Sequence, residues 1–271
     1  MSDLLLASVE LISVHLPKTA GTTFGKVILP KIYPKHSILY DYDFLPINTL
    51  IEEGKLTTQT RVIHGHFSIE KYRGYFNNAK RVIWLRNPII LLISAYFFWM
   101  ASGRDKIFYD ENHRYVIENK LDFSAFVKQP FTHNMISNYF GKGMKLTDFY
   151  FVGIQEFFRD DLNDLKKKLC WPTLEVTISN RNSYENYQDQ VMDILTNQSL
   201  VKNIVSLNSA DMDIYQEALS LRSQRKGLSS FIEMYELSLK ESQSRLRYNS
   251  FKEPQLNNSS GLGSKQGVNP P

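Results

Sequence analysis

The stretch LISVHLPKTAGTTFGKVILP, residues 11–30, decides the fold class of this chain. It begins within a run from Val9 to Leu16 that is apolar, rich in β-branched residues and stopped by Pro17, as a buried strand is. From Thr22 to Pro30 the apolar residues return to helical spacing. The stretch therefore predicts a strand, a tight loop and a helix, which together are the building unit of a parallel sheet.

Three further apolar runs repeat the strand pattern. They are Arg61–His66 (RVIHGH), Arg81–Leu85 (RVIWL) and Phe149–Ile154 (FYFVGI), and Gly, Pro or polar residues bound each one. Because helical stretches separate these short strands, we predict a three-layer α/β/α fold with a central parallel sheet.

Amphipathic helices are predicted in the second half of the chain. Apolar residues spaced four, three and four apart form one stripe over residues 158–169. Two more helices are predicted over Asp211–Arg225 and Ser229–Arg247, with Gly227 between them at a helix end.

The composition indicates one packed domain with a tail. Of the 271 residues, 42% are apolar and 13% aromatic, which is ample for a core and argues against a disordered chain. We predict a single domain over residues 1–250. Residues 251–271 are mostly Asn, Ser, Gly, Gln, Lys and Pro, and we predict that they form a disordered tail.

The charge and cysteine content exclude several classes of protein. A formal net charge of +4 and a pI of 8.9 are too weak a basic balance to indicate a nucleic-acid partner. Cys170 is the single cysteine of the sequence, which excludes an intramolecular disulfide framework and any multi-thiolate metal site within one chain. We predict no bound metal.

The sequence also predicts a cytoplasmic protein without a membrane span. The N-terminus, MSDLLLASVE, carries acids where an export signal needs basic residues. The most apolar window, Val82–Ala101, is interrupted by Arg86, Asn87 and Pro88, so it lacks the roughly 18 unbroken apolar residues of a membrane helix.

The loop His15–Thr23 (HLPKTAGTT) lies between the first strand and its helix. Backbone N–H groups converge at such a place and the helix dipole is positive there, so an anion is the natural occupant. The residues expected to hold it are Lys18 by its charge, Gly21 by its small size, Ala20 by its backbone, and Thr19, Thr22 and Thr23 by their hydroxyl groups. An ordinary strand-to-helix turn is the alternative interpretation. The loop is not the G-x-x-x-x-G-K-[ST] pattern of nucleoside triphosphatases, since the lysine precedes the glycine.

A second anchor follows the strand RVIWL. Arg86 is expected at the carboxyl end of that strand, with Asn87 as the cap and Pro88 in the first turn of the next helix. Ser94 is expected two turns into this helix. A buried arginine beside a small hydroxyl group favours a phosphate or an acidic partner. The alternative is an arginine paired with a carboxylate of the core.

Two histidines end the strand RVIHGH. His64 and His66 are two residues apart, so a regular strand would place both on the same face, although Gly65 can let the backbone turn between them. His66 is nearer to the carboxyl end of the strand, where open α/β sheets bind their ligands.

These motifs resemble the sulfotransferase family that uses 3'-phosphoadenosine 5'-phosphosulfate (PAPS). The segment PKTAGTT is similar to the family's 5'-phosphosulfate loop, P-K-[ST]-x-[GS]-T-[TS], and R-N-P followed by Ser94 is similar to its 3'-phosphate motif. The carbohydrate-type branch with the heparan sulfate 2-O- and 6-O-sulfotransferases is the most similar, since a base histidine follows the equivalent strand there and G-H-F-S stands here.

The resemblance implies a P-loop-like sulfotransferase fold and transfer of a sulfuryl group from PAPS to a hydroxyl group of a saccharide or small molecule, with 3'-phosphoadenosine 5'-phosphate (PAP) as product. It implies His66 as the base, His64 as a supporting or alternative group and Lys18 at the leaving phosphate. The segment Arg225–Gly227 is similar to a nucleotide-binding R-K-G, but basic residues are expected at the end of any helix. A small-molecule kinase with a degenerate phosphate loop and a non-catalytic nucleotide-binding protein are the alternatives.

Overall fold

A computed structural model describes residues 8–43, 45–104, 109–140, 143–173 and 186–227, together with residues 237, 238 and 240. The predicted tail over residues 251–271 lies outside these ranges. So does the predicted helix Ser229–Arg247, apart from those last three residues.

Five parallel strands form the central sheet. They are β1 (Leu11–Val14), β2 (Ile38–Asp41), β3 (Val62–Gly65), β4 (Lys80–Leu85) and β5 (Phe151–Ile154), in the order β2-β3-β1-β4-β5. The pairs β2–β3, β3–β1, β1–β4 and β4–β5 are all parallel. The prediction of an α/β protein with a central parallel sheet is confirmed.

Helices surround this sheet. The first, α1, is continuous through Gly21–Thr23, a π-helical turn Phe24–Ile28 and Leu29–Ile32. The others are α2 (Ile47–Glu52), α3 (Pro88–Arg104), α4 (Glu111–Glu118), α5 (Phe123–Phe126), α6 (Phe158–Lys168), α7 (Tyr187–Thr196), α8 (Gln198–Leu207) and α9 (Ser209–Lys226). Within the described ranges, none of the helices is both long enough and apolar enough to cross a membrane.

The strands bury both of their faces, and their alternating side chains supply two separate cores. One core joins Ile12, Ile63 and Ile83 to residues of α2 and α9. The other joins Leu11 and Val82, with their neighbours on the same face, to residues of α1 and α6. Helices therefore cover both faces of the sheet, and the predicted three layers are confirmed.

The strand order leaves a crevice between β1 and β4. The connection after β1 leads to β2 on one side of the sheet, whereas the connection after β4 leads to β5 on the other side. The two loops diverge at the carboxyl ends of adjacent strands, which is where open α/β sheets bind ligands. Both predicted anchors, the loop His15–Thr23 and Arg86, lie at this crevice.

Candidate active site

The loop between β1 and α1 has an unusual backbone. Lys18 and Ala20 have φ angles of 64° and 67°, in the left-handed region, although neither is glycine. This conformation costs about 1–2 kcal/mol per residue. Thr19 lies between them, fully buried, and its hydroxyl group donates to the carbonyl oxygen of Leu16 at 2.8 Å. The hydroxyl group of Thr19 therefore uses its proton to stabilise the loop. Its backbone is still available to bind a ligand.

Gly21 begins α1 and lies directly against a histidine ring. A Cβ atom at Gly21 would come within 1.7 Å of Cδ2 of His15, so no larger residue fits unless the ring moves. Thr22 is half-buried and Thr23 is buried in the same first turn. Gly21 was predicted to let a phosphate approach the backbone, and its lack of a side chain also leaves room for the ring of His15.

Arg86 is tied to this loop. Its Nη1 donates to the carbonyl oxygen of Lys18 at 3.0 Å. Asn87 caps α3 as predicted, since its side-chain oxygen accepts from the N–H of Ile89 at 3.0 Å. Arg86 is half-buried and its Nε atom has no hydrogen-bond partner among the described residues. The hydrogen bond to Lys18 brings the two predicted anchors together.

The side chain of Lys18 lies over α3. Its Nζ is 3.8 Å from the centre of the Phe98 ring. Phe98 follows Ser94 by four residues, so the two share one face of α3, one turn apart. Ser94 is buried, with 5% of its surface exposed. Lys18 therefore lies over the face of α3 that also carries Ser94.

Burial and the charge of Arg86 both affect the protonation of Lys18. Burial, and secondarily the charge of Arg86, lowers the pKa of Lys18 from 10.5 to about 8. Within the described part of the chain, neither cation forms an ion pair with a carboxylate. Two neighbouring cations without an acid favour an anionic ligand.

Other basic residues near them in the sequence have partners. Between residues 61 and 106 the sequence holds eight basic residues and two acidic ones. The pairs are Arg61 with Glu10, Lys71 with Asp41 at 2.6 Å, and Arg73 with Glu70 at 3.6 Å. These three cations are therefore neutralised by acids, whereas Arg86 has no carboxylate partner among the described residues.

His64 is fully buried on β3. Its Nδ1 lies 2.9 Å from the hydroxyl group of Ser13 on β1, and a Cβ atom at Gly25 would lie 2.2 Å from its Nε2. Burial, followed by the nearby His66, lowers the pKa of His64 from 6.5 to about 3. His64 is a neutral group that packs between the sheet and α1.

His66 is half-buried, just beyond the end of β3. Its Nδ1 lies 2.5 Å from the backbone carbonyl oxygen of His15. A carbonyl oxygen can only accept, so Nδ1 carries the proton and Nε2 of the neutral ring keeps its lone pair. Burial lowers the pKa of His66 below its usual value of 6.5. The ring is thus neutral near pH 7, with Nε2 able to accept a proton.

Two residues of the site were not predicted from the sequence. The ring of His15 stacks on that of His66 at 4.2 Å and on that of His64 at 5.2 Å. Tyr42, which follows β2, has its hydroxyl group 3.3 Å from Nδ1 of His15 and its ring 5.0 Å from that of His66. The position of His15 at the start of the loop motif could have indicated that it belongs to the site. Tyr42 follows β2, a strand that the sequence pattern did not predict.

A groove of about 440 Å³ opens between the loop after β2 and the loop after β3. Its lining residues are Leu45, Pro46, Ile47, Asn48, Phe67, Ser68, Lys71 and Tyr75. Phe67 directly follows His66 in the chain, and the same two loops meet where Tyr42 packs on His66. The groove is large enough for a small ligand, and its lining includes the residue that follows the candidate base in the chain.

The R-K-G segment lies at the end of α9, and its basic side chains pair with α6. Nη2 of Arg225 is 3.2 Å from Oδ1 of Asp161, and Nζ of Lys226 is 2.6 Å from Oδ2 of Asp164. Gly227 has a φ of 66° as the helix cap. These two cations therefore hold two helices together.

Comparisons with known proteins give the following similarities. No family model matches the sequence, and no curated protein matches it. Among solved structures, a sulfotransferase from Alicyclobacillus acidocaldarius is similar, with 15% identity over 73% of this chain and 95% of its own, and a TM-score of 0.32. Mouse sulfotransferase SULT7A1, complexed with PAP, has 17% identity over 71% of this chain and 68% of its own, also with a TM-score of 0.32. These TM-scores are low, and the function proposed below rests on the residues of the site.

Proposed function

We propose that this chain is a sulfotransferase that moves a sulfuryl group from PAPS to a hydroxyl group of a saccharide or small molecule. The observation that carries the proposal is the pairing of Lys18 with Arg86 at the crevice, joined by a hydrogen bond yet without a carboxylate partner among the described residues. The sequence resemblance to the PAPS-binding motifs supports the identity of the anion.

The residues present fit a nucleotide with two separate phosphate groups. The backbone of the loop over residues 18–23 and the N-terminus of α1 suit a 5'-phosphate, because backbone N–H groups and the helix dipole favour an anion there. Arg86 and Ser94 suit a 3'-phosphate, since a guanidinium group and a hydroxyl group are good phosphate donors. The nucleotide would span the distance between the two anchors.

His66 is the proposed base. Its Nε2 takes the proton of the acceptor hydroxyl group as the acceptor oxygen forms its bond to sulfur. Lys18 faces the phosphate oxygen that leaves when the old bond between sulfur and oxygen breaks, and its ammonium group offsets the charge that develops there. The donor, when bound, supplies the activated sulfuryl group. The proposal includes no metal, since a sulfuryl group carries less negative charge than a γ-phosphoryl group.

His64 is proposed to support His66 rather than to replace it. The ring of His64 is fully buried between β3 and α1, so an acceptor cannot reach it without a rearrangement. The hydrogen bond to Ser13 and the packing against Gly25 hold it in place.

The groove between the loops after β2 and β3 is the proposed acceptor site. Its lining combines apolar groups, such as Leu45 and Tyr75, with the polar groups of Ser68 and Lys71, a mixture that suits a hydroxylated compound with one apolar face. The resemblance to the carbohydrate-type branch supports a saccharide acceptor.

The first experiment compares ligands by thermal shift. PAP, ATP with Mg²⁺, and AMP are added to the wild-type protein and to the variants Lys18→Ala and Arg86→Ala, with Lys26→Ala as a control because Lys26 is an exposed cation of α1. A ligand at one hundred times its Kd adds about 2.7 kcal/mol to stability. We expect PAP alone to raise the Tm of wild type and Lys26→Ala by several degrees, and neither site variant to respond.

A transfer assay then separates an enzyme from a binding protein. Radiolabelled PAPS is incubated with a panel of saccharides and small alcohols, using the wild type, His66→Gln and His36→Gln, the latter an exposed histidine. Loss of transfer in His66→Gln with unchanged PAP binding supports the proposal. Selectivity for ATP with Mg²⁺ would identify a kinase instead, and PAP binding without transfer to any acceptor would identify a nucleotide-binding protein.

A further inference from the structure

His15 is fixed to both sides of the candidate site. Its backbone N–H donates to the carbonyl oxygen of Gly65 at 2.8 Å, which continues the pairing of β1 with β3 beyond the last residue of β1. Its own carbonyl oxygen then accepts from Nδ1 of His66. The backbone of His15 therefore fixes the tautomer of the proposed base.

The ring of His15 is held equally firmly. It is 7% exposed and stacks on His66 with an angle of 24° between the rings. Its Nδ1 lies within reach of the hydroxyl group of Tyr42, and its Cδ2 edge fills the space that a side chain at Gly21 would need. The ring thus lies between residues 18–23, which we call the donor loop, and the ring of the proposed base, His66.

We propose that His15 is a positioning residue that couples the donor loop to the base, with Gly21 against its edge, His66 against its face and Tyr42 fixing its orientation. This inference rests on the proposed function. A displacement of Gly21 on donor binding would move the His15 ring, and with it the ring on which His66 stacks. His15 itself is too buried to touch the acceptor.

The charge state of His15 agrees with this role. Burial lowers its pKa to about 2, and the charges of His64, His66, Lys18 and Lys26 act in the same direction. A ring that stays neutral adds no positive charge beside His66, so it does not by itself oppose proton uptake there. Tyr42 is uncharged as well, since burial raises its pKa to about 12.

The test measures the state of His66 directly. Two-dimensional ¹H–¹⁵N NMR of the ring nitrogens reports the tautomer and pKa of each histidine, whatever the activity. In the wild type we expect the Nδ1–H form of His66 with a pKa below 6.5. In His15→Ala, the loss of the covering ring should raise the pKa of His66 towards 6.5, whereas the backbone carbonyl of residue 15 remains and should keep the Nδ1–H tautomer. His36→Ala, at an exposed histidine, should leave both unchanged.

Activity supplies the second readout. We expect His15→Ala to lower kcat by about 10- to 100-fold through misplacement of the base, with the Kd for PAP changed less than threefold. Tyr42→Phe keeps the ring of Tyr42 but removes its hydroxyl group, and we expect a smaller loss of kcat in the same direction. If His15→Ala does not fold, Tyr42→Phe tests the same role by its effect on kcat.

The outcomes separate this inference from the proposed function. If His15→Ala is folded and the pKa of its His66 equals that of the wild type, or if neither His15→Ala nor Tyr42→Phe lowers kcat, the positioning role is wrong. If the wild type fails to bind PAP while His66 responds to His15→Ala as expected, the coupling stands as a structural fact and the sulfotransferase proposal fails. A fall in kcat without any change at His66 would also overturn the positioning role.

Discussion

The buried histidine His64 ties the stability of this protein to pH. Its pKa is about 3 in the folded chain and about 6.5 in an unfolded one. Between these values the unfolded chain binds a proton that the folded chain does not, so the free energy of unfolding falls as the pH falls from 6.5 towards 3. From pH 7 to pH 5 one such group lowers it by about 2 kcal/mol. His15, with a pKa of about 2, acts with the same sign.

We therefore predict that His64→Gln reduces the pH dependence of stability and leaves the part that His15 contributes. Glutamine can keep a hydrogen bond to Ser13 but does not titrate. Urea unfolding at pH 5, 6 and 7 measures the slope. His36→Gln, at an exposed histidine, should show the wild-type slope, and an unchanged slope in His64→Gln would show that this histidine is not the source.

Gly25 packs against the ring of His64, so the effect of a larger residue there on stability can be predicted. Alanine normally stabilises a helix relative to glycine by up to about 1 kcal/mol, but here its Cβ would meet Nε2 of His64 at 2.2 Å. We predict that Gly25→Ala destabilises the fold by about 1–3 kcal/mol, as overpacked cores do. The measurement is the free energy of unfolding in urea.

A double-mutant cycle tests the cause of that loss. If the clash with His64 is responsible, Gly25→Ala/His64→Ala should be more stable than the sum of the single changes implies. Additive losses would place the cause elsewhere in α1.

At the scale of elements, the central sheet was predicted from the sequence except for one strand, whereas the helices α2, α4, α5, α7 and α8 were not predicted. The predicted strands containing β1, β3, β4 and β5 and the predicted helix over residues 158–169 are confirmed. The missed strand, β2, has only four residues, pairs only with β3 at the edge of the sheet and exposes Tyr40. With the exposed Tyr40 and the terminal Asp41, β2 lacks the continuous apolar run that marks a strand buried on both faces.

The end of α1 was also misplaced, for a physical reason. The prediction stopped this helix at Pro30, whereas the structure continues it to Ile32. A proline in a helix loses one hydrogen bond and its ring collides with the preceding turn. The π-helical turn Phe24–Ile28 directly precedes Pro30, and a wider turn relieves that collision. The packing of Gly25 against His64 also lies in this turn, and a local sequence pattern does not show it.

The groove between the loops after β2 and β3 carries a prediction at the same scale. Ser68 is an exposed residue of its lining, so Ser68→Trp should fill the groove without disturbing the core. We expect a rise in the KM for the acceptor of at least about tenfold, roughly the loss of 1.4 kcal/mol of binding, with an unchanged Kd for PAP. Steady-state kinetics with the best acceptor of the panel measure both.

The matched control is Gln59→Trp. Gln59 is exposed and lies before the amino end of β3, whereas the groove lies beyond the carboxyl ends of β2 and β3. Equal effects of the two tryptophans, or no effect of either, would contradict the assignment of the groove to the acceptor.

At the scale of the whole molecule, the site is a product of sheet topology. His15 and Lys18 follow β1, His66 follows β3 and Arg86 follows β4, so segments that are far apart in the sequence meet at the carboxyl ends of three adjacent strands. The motifs predicted that these residues lie at carboxyl ends of strands. The stack of His15 on His66 could not be predicted, because it depends on the register that pairs Ser13 with His64 across 51 residues.

The same arrangement predicts a bell-shaped dependence of kcat/KM for the donor on pH. His66 must be neutral to accept a proton, and its pKa lies below 6.5, so the rate should rise with pH through that region. Lys18 must be protonated to bind the phosphate, and its pKa is about 8 in the free protein, so the rate should fall as the pH rises through about 8. Lys18→Arg places a group at this position that stays protonated throughout. It should therefore keep the acid limb and lose the alkaline one, even where the different geometry of arginine lowers the maximum rate. An alkaline limb near pH 8 that persists in Lys18→Arg would show that another group controls it, and would remove Lys18 from its proposed place beside the leaving phosphate.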